Sequence, residues 1–260
     1  MITPASLGLD YGDWRPRQLE TILRAAELLL QGKKYVIIEG PPGTGKTAIG
    51  VGIARLLGGT VGYLTSTKDL QAQYEKLSGA PRVLGRPNFE CTIAPVKASQ
   101  AQCTGGVACK FAGPNGESGC PYYDQVRFGL GSSEVVLNYA GFLASTSYAK
   151  RFSGRDLVIC DEAHLLRKEL ESFISYEIWW GTLDRLNLMS KEEARRAKGW
   201  TIREWIVWAS RSSPSIQGML ESLRARAKDL ANQGTQLEPD SLRQLTALSS
   251  LARVSQTIQS

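Results

Sequence analysis

Eight consecutive residues, Gly40-Pro41-Pro42-Gly43-Thr44-Gly45-Lys46-Thr47, match the pattern G-x-x-x-x-G-K-[ST] throughout. Each residue type has a chemical reason to stand there. Glycines lack the Cβ atoms that would stop a backbone from wrapping a phosphate. The main-chain N–H groups and the N-terminus of the helix that follows supply partial positive charge. Lys46 is placed to reach β- and γ-phosphates, and the Thr47 hydroxyl to ligate Mg2+. Gly40, Gly43, Thr44, Gly45, Lys46 and Thr47 are thus candidate nucleotide-binding residues. Farther along, Asp161-Glu162-Ala163-His164 follows the apolar run Leu157-Val158-Ile159-Cys160. A strand ending in an acid would bring Asp161 to the same Mg2+, while Glu162 can orient and deprotonate an attacking water. His164, the only histidine, is placed to couple the nucleotide to a neighbouring element. Together the two patterns read as a site that binds and hydrolyses ATP.

A second chemistry is suggested by cysteine. Four of the five cysteines, Cys91, Cys103, Cys109 and Cys120, fall at the spacing C-x11-C-x5-C-x10-C. No C-x-x-C pair is present, which disfavours the common zinc ribbon. Four thiolates suit either a [4Fe–4S] cluster or tetrahedral zinc, and spacing prefers iron only mildly. Cys160, inside an expected core strand, reads as packing.

These residues need elements to hold them. A helical pattern through Leu19, Ile22, Leu23, Ala26 and Leu30 ends at Gly32. Tyr35-Val36-Ile37-Ile38-Glu39 reads as a buried strand, followed by the glycine-rich turn, a helix over about 46–57 and a strand over 60–64. That order, β-loop-α-β, is the pattern of a parallel sheet with crossover helices. Residues from about 81 to 121 are rich in Gly, Pro and Cys with little apolar periodicity, so they need a staple. Glu134–Asn138 is the next expected strand, 139–149 a helix, and Leu157–Cys160 a further strand. Beyond Leu166 the pattern is helical, with Ile202, Trp205, Ile206 and Ala209 on one face. Leu220, Leu223, Ala227 and Leu230 form another face, and Leu242, Leu245 and Leu248 a third. Five of six tryptophans lie between Trp179 and Trp208, which suggests the aromatic core of a helical subdomain rather than a base-stacking platform.

Composition narrows the class. The 260 residues are 42% hydrophobic and 22% charged, which excludes wholesale disorder and collagen-like repeats. No stretch approaches the ~18 uncharged apolar residues that span a bilayer, so no membrane association is expected. The first residues lack the basic start and apolar run of a signal peptide, so a cytoplasmic location is expected. A net charge of +6 suits a polyanionic partner such as nucleic acid, and equally a solvated surface.

With these residues in view, the chain resembles the iron–sulfur DNA helicases related to XPD and DinG, of superfamily two. Besides the two ATPase motifs, Tyr63-Leu64-Thr65-Ser66-Thr67-Lys68-Asp69-Leu70-Gln71 resembles that family's motif Ia. Gly85-Arg86-Pro87-Asn88-Phe89-Glu90-Cys91 resembles the approach to its first cluster ligand, and Cys120-Pro121-Tyr122-Tyr123 the surroundings of the last. Asn138-Tyr139 resembles the strand end that precedes the D-E-A-H box, and Arg15-Pro16-Arg17-Gln18 the motif whose glutamine contacts adenine. The resemblance covers about residues 14–167.

It implies an α/β fold: a RecA-like P-loop domain with a parallel sheet, a Cys-rich Fe–S insertion and a helical arch-like insertion. The motor domain would comprise 1–84 and 131–168, the cluster domain 85–130, and an incomplete arch 169–260. It further implies ATP, Mg2+ and a [4Fe–4S] cluster as cofactors, with Gln18 at the adenine. Single-stranded DNA would be the partner, and translocation 5′ to 3′. Thr65 and Thr67 would touch the DNA backbone, with Arg82 and Arg86 as phosphate contacts by charge and position. One departure stands out. Nothing after His164 supplies the motifs of a second RecA-like domain, whose arginine finger contributes about 10³–10⁵ in turnover. The expectation is an N-terminal motor half that binds ATP but hydrolyses it poorly until a separate C-terminal domain is supplied. Two other readings stay open: a nucleotide-gated nucleic-acid-binding module without motor activity, and a zinc-stapled ATPase acting on protein partners.

Overall fold

Parallel strands separated by helices organise the first half of the chain, as seen in a computed structural model that describes residues 2–175, 177–233 and 235–259. Helix α1 (Gln18–Leu30) and helix α2 (Lys46–Leu57) precede strand β1 (Val61–Thr65). Helix α3 (Lys68–Ser78) leads to β2 (Arg82–Val83), helix α4 (Pro121–Gly131) to β3 (Glu134–Asn138), and helix α5 (Tyr139–Ser147) to β4 (Leu157–Cys160). The four strands form one sheet in the order β2-β3-β1-β4, every pairing parallel. The fold class is therefore α/β, with crossover helices between strands as the alternation requires.

The chain divides into two compact units, Met1–Leu84 with Gln125–Ile174, and Gly85–Asp124 with Ser175–Ser260. In the first unit Val61 and Tyr63 of β1 point to one face. There they join Val136, their β3 neighbour, and Val51, Ala54 and Tyr74 from α2 and α3 in a single buried cluster. A second cluster fixes α1 to α2 through Ile22, Ala25, Ile49 and Ile53. The periodic face read from the sequence is correct for Ile22 and Ala26, while Leu23 and Leu30 are exposed.

The run Tyr35–Glu39, expected to be a buried strand, is not one. Tyr35 and Ile37 are 88% and 91% exposed, whereas Val36 and Ile38 pack beside Leu157 on the α1–α2 cluster. The two-residue alternation is real, but only one face is covered and no ladder forms, because β-propensity becomes a strand only through pairing. The strands at Val61–Thr65, Glu134–Asn138 and Leu157–Cys160 form as expected.

The second unit is built on the helices that follow α6 (Leu166–Ile174). These are α7 (Trp180–Arg185), α8 (Lys191–Ala197), α9 (Ile202–Asn232) and α10 (Pro239–Gln259). Trp208, Ala209, Ile216, Leu220 and Ala227 of α9 are buried with Leu242, Leu245 and Leu248 of α10. Trp200, Trp205 and Trp208 meet edge to face within this core. Trp179 is exposed, as are Ile202 and Ile206, which the periodicity placed on the inner face. Trp205 and Ala209 of the expected face do join the core, and the buried stripe runs from them through Trp208, Ile216 and Leu220. Among the described residues no helix is long and apolar enough to cross a membrane.

Candidate functional site: a glycine-rich loop and a thiol pocket

Glycines at 43 and 45 adopt φ of 83° and 77°, the left-handed region that other residues resist, and this turns the chain into α2 at Lys46. The loop is held from outside by α1. Gln18, 3% exposed, accepts a hydrogen bond from the Arg15 N–H through Oε1 and donates from Nε2 to the Thr44 carbonyl, both 2.9 Å. Arg15 also donates to the Gly43 carbonyl. The Lys46 ammonium donates to the carbonyls of Gly40 (3.0 Å) and Pro41 (3.4 Å), and the Thr44 hydroxyl to Pro41 (2.9 Å). The loop thus satisfies itself around the lysine. Thr47 follows in the first turn of α2.

Asp161 leaves the end of β4 with its N–H bonded to the Leu64 carbonyl at 2.9 Å, so the sheet itself sets its position. Its carboxylate accepts a hydrogen bond from the Glu162 N–H (3.0 Å), while Tyr139 donates to its main-chain carbonyl at 2.7 Å. Burial pushes the Asp161 carboxyl up, and the neighbouring Glu162 charge adds to this; the Glu162 N–H bond and the charge of Lys46 oppose it. Lys46 therefore lies within electrostatic reach of Asp161. Glu162 adopts φ of 53° and reaches His164 Nδ1 at 3.3 Å. A cation, a hydroxyl and an acid at the mouth of one parallel sheet form a donor set that suits a triphosphate with Mg2+.

The thiols of Cys103, Cys109 and Cys120 share one pocket with Phe111 and Tyr123. Cys91 sits on a short hairpin bridged between Glu90 and Lys97, and Thr92 ties that hairpin to the Gly119 carbonyl beside Cys120 at 3.0 Å. Among the described residues no three metal-ligating side chains stand in coordinating geometry. The donor chemistry nevertheless fits a soft metal centre: all sulfur, gathered by the fold, and faced by a cation.

That cation is Arg86. Its guanidinium donates to Cys103 Sγ (3.2 Å) and the Tyr123 hydroxyl (2.8 Å), and lies over the rings of Tyr122 and Tyr123 at 4.5 and 5.2 Å. Burial works against its charge, but Cys103 and the two tyrosines outweigh this and raise its pKa. A hydrogen bond from Cys109, reinforced by Arg86, holds the Cys103 thiol well below the ordinary thiol range, despite burial. Cys109, which gives that bond and is itself partly buried, is pushed up.

The four residues expected at DNA are differently placed. Thr65 is fully buried, with its hydroxyl bonded to the Thr67 carbonyl at 3.2 Å. Thr67 is exposed and caps α3 by accepting the Leu70 N–H. Arg82 is paired with Glu75, and Arg86 belongs to the thiol pocket. Sequence reasoning missed the brace of Arg15 on the loop and the bond from Tyr139 to the main chain of Asp161. The adjacent Tyr122-Tyr123 pair beside a cysteine was the available hint for the Arg86 stack. Neither a protein-family model nor any curated protein matches the sequence.

Proposed function

We propose that the chain is the motor half of an ATP-dependent DNA helicase with a RecA-like core, resembling the iron–sulfur enzymes related to XPD and DinG. The observation that carries this reading is the placement of Lys46 at the start of α2 within electrostatic reach of Asp161 at the end of β4. Nucleotide would displace the Gly40 and Pro41 carbonyls from the Lys46 ammonium, which then holds the β- and γ-phosphates. The main-chain amides of 43–47 would cradle the same phosphates, and Gln18 would turn to the adenine. Thr47 and Asp161 would hold Mg2+, whose charge neutralises the phosphate oxygens. Glu162 would orient and deprotonate the attacking water, with His164 holding its carboxylate.

Cys91, Cys103, Cys109 and Cys120 would hold a [4Fe–4S] cluster that staples residues 85–124. Single-stranded DNA is the proposed partner, with Thr67 as the exposed contact. Full hydrolysis and unwinding would require a second RecA-like domain to supply an arginine finger, worth about 10³–10⁵ in turnover. The test is equilibrium binding of a fluorescent ATP analogue. Lys46→Ala is expected to lower affinity at least about a hundredfold, as loss of a charged phosphate contact should. Unchanged affinity would remove the phosphate-loop assignment. In the same experiment, single-stranded DNA should bind with a strong inverse dependence on salt.

A further inference from the structure

The turn that carries Cys103 is held from two sides. It is a single 3-10 turn, Gln102–Gly105, tightened by the Thr104 N–H on the Ala101 carbonyl at 2.9 Å. On one side the Cys103 sulfur accepts from Arg86 at 3.2 Å and shares its pocket with Cys109 and Cys120. On the other, the carbonyl of buried Gly105 accepts two hydrogen bonds. One comes from Arg224 Nε of α9 at 2.9 Å, the other from the Ser249 hydroxyl of α10 at 3.2 Å. The donors stand 119 and 144 positions along the chain.

Packing alone calls for neither group. Ser249 is 8% exposed, and burying a hydroxyl is unfavourable unless it finds a partner. Arg224 brings a charged donor, the stronger kind. A carbonyl oxygen has two lone pairs, and this one uses both. Room for the guanidinium is left at Gly106, where a Cβ would stand 2.8 Å from Arg224 Nη2. Val107, the next residue, is buried in the helical core. The four-residue turn therefore cannot shift at its Gly105 end without breaking contacts to α9 and α10. Groups that stand behind a metal ligand and fix its direction commonly change metal affinity 10–100-fold. Such coupling is reciprocal: what the helices add to metal binding, bound metal returns to the stability of the helices.

We propose that Arg224 and Ser249 are positioning residues for the sulfur centre, acting through the Gly105 carbonyl to hold Cys103 in place for a metal. The inference rests on the reading of the four cysteines as cluster ligands. It extends that site to α9 and α10, which contain no cysteine.

The test uses the full chain purified without oxygen, beside Ser249→Ala, Arg224→Met and Arg224→Lys. Arg226→Met, at an exposed position of the same helix, is the control. Two quantities are read. The first is the rate of iron release to a chelator, at a temperature where tryptophan fluorescence shows every chain folded. The second is the difference in thermal midpoint between iron-loaded and metal-stripped chains. Ser249→Ala and Arg224→Met should release iron about tenfold faster than wild type, and their midpoint difference should shrink. Arg224→Lys, which can still donate, should release iron more slowly than Arg224→Met. Arg226→Met should match wild type. A contact that serves only packing would lower both midpoints together and leave release unchanged, and that result would overturn the proposal. Variants that no longer fold would overturn it too, since the contact would then be a requirement of the helical core. So would release from Arg226→Met as fast as from Arg224→Met. Wild-type chain that holds no iron would instead remove the reading of the cysteines, and this inference with it.

Discussion

In the glycine-rich loop at 40–47 and its surroundings, the candidate site residues sit at the ends of elements. Lys46 opens α2, Gln18 opens α1 and Asp161 follows β4, so main-chain geometry delivers them with little help. In the thiol pocket, residues 85–124 contain only short 3-10 turns, a two-residue bridge and the start of α4. Their shape is set from far along the chain. The Gly105 carbonyl accepts from Arg224 at 2.9 Å and from Ser249 at 3.2 Å, and Val107 is buried in the helical core. The first region places charged and polar groups by secondary structure. The second gathers soft ligands by packing and by one half-buried arginine. A glycine-rich segment that cannot build its own core must borrow one, and here α9 and α10 lend it.

The sharpest way to break this comparison is to crowd the borrowed core. A Cβ on Gly105 would stand 2.4 Å from Leu245 of α10, so Gly105→Val should destabilise the second unit by roughly 1–3 kcal/mol. Nucleotide affinity should be unchanged. Thermal unfolding followed by tryptophan fluorescence would read the loss, because five of the six tryptophans lie in that unit. A parallel loss of nucleotide binding would mean that the two regions are not built independently.

A smaller effect is expected from Arg86→Gln in the metal-free chain. The Cys103 thiol is held below its ordinary value of 9.0 by Cys109 and then Arg86. Between the lowered and the ordinary value the unfolded chain binds more protons, so stability rises with pH through that window. This contribution is complete above the ordinary thiol value and is lost as pH falls through the lowered one. Cys109, displaced upward, acts in the opposite sense at higher pH. Removing the guanidinium should flatten the rise and slow alkylation of Cys103 at neutral pH several-fold. Denaturant midpoints at mildly acidic and mildly alkaline pH, with chelator and without oxygen, would check it. An unaltered slope would assign the acidity to Cys109 alone.

The smallest effect is local to the first unit. Thr67 accepts the Leu70 N–H at 3.2 Å as the cap of α3, so Thr67→Ala should cost about 1 kcal/mol. Urea unfolding should show it, and the second unit should not feel it.

Local, main-chain-driven features were legible in the sequence. The helix at 46–57, the strands at 134–138 and 157–160, and the acid at the end of the last follow from spacing and residue type alone. Two kinds of feature were not. Tyr35–Glu39 has strand composition, but whether a strand pairs depends on a neighbour that composition does not contain. Ile202 and Ile206 share a helical stripe with Trp205 and Ala209, yet the core takes the latter two, with Trp208, and leaves the isoleucines exposed. Contacts between distant residues leave no period either. Tyr139 to Asp161 spans 22 positions and Arg86 to Tyr123 spans 37, and each depends on a single buried side chain.

The measurement that bears most directly on the division into a nucleotide region and a sulfur-held region is metal and sulfide analysis of the chain purified without oxygen. The account predicts a brown protein with iron and acid-labile sulfide in equal amounts, about four of each per chain, both lost in Cys103→Ser while nucleotide binding persists. A colourless protein with stoichiometric zinc and no sulfide would contradict it.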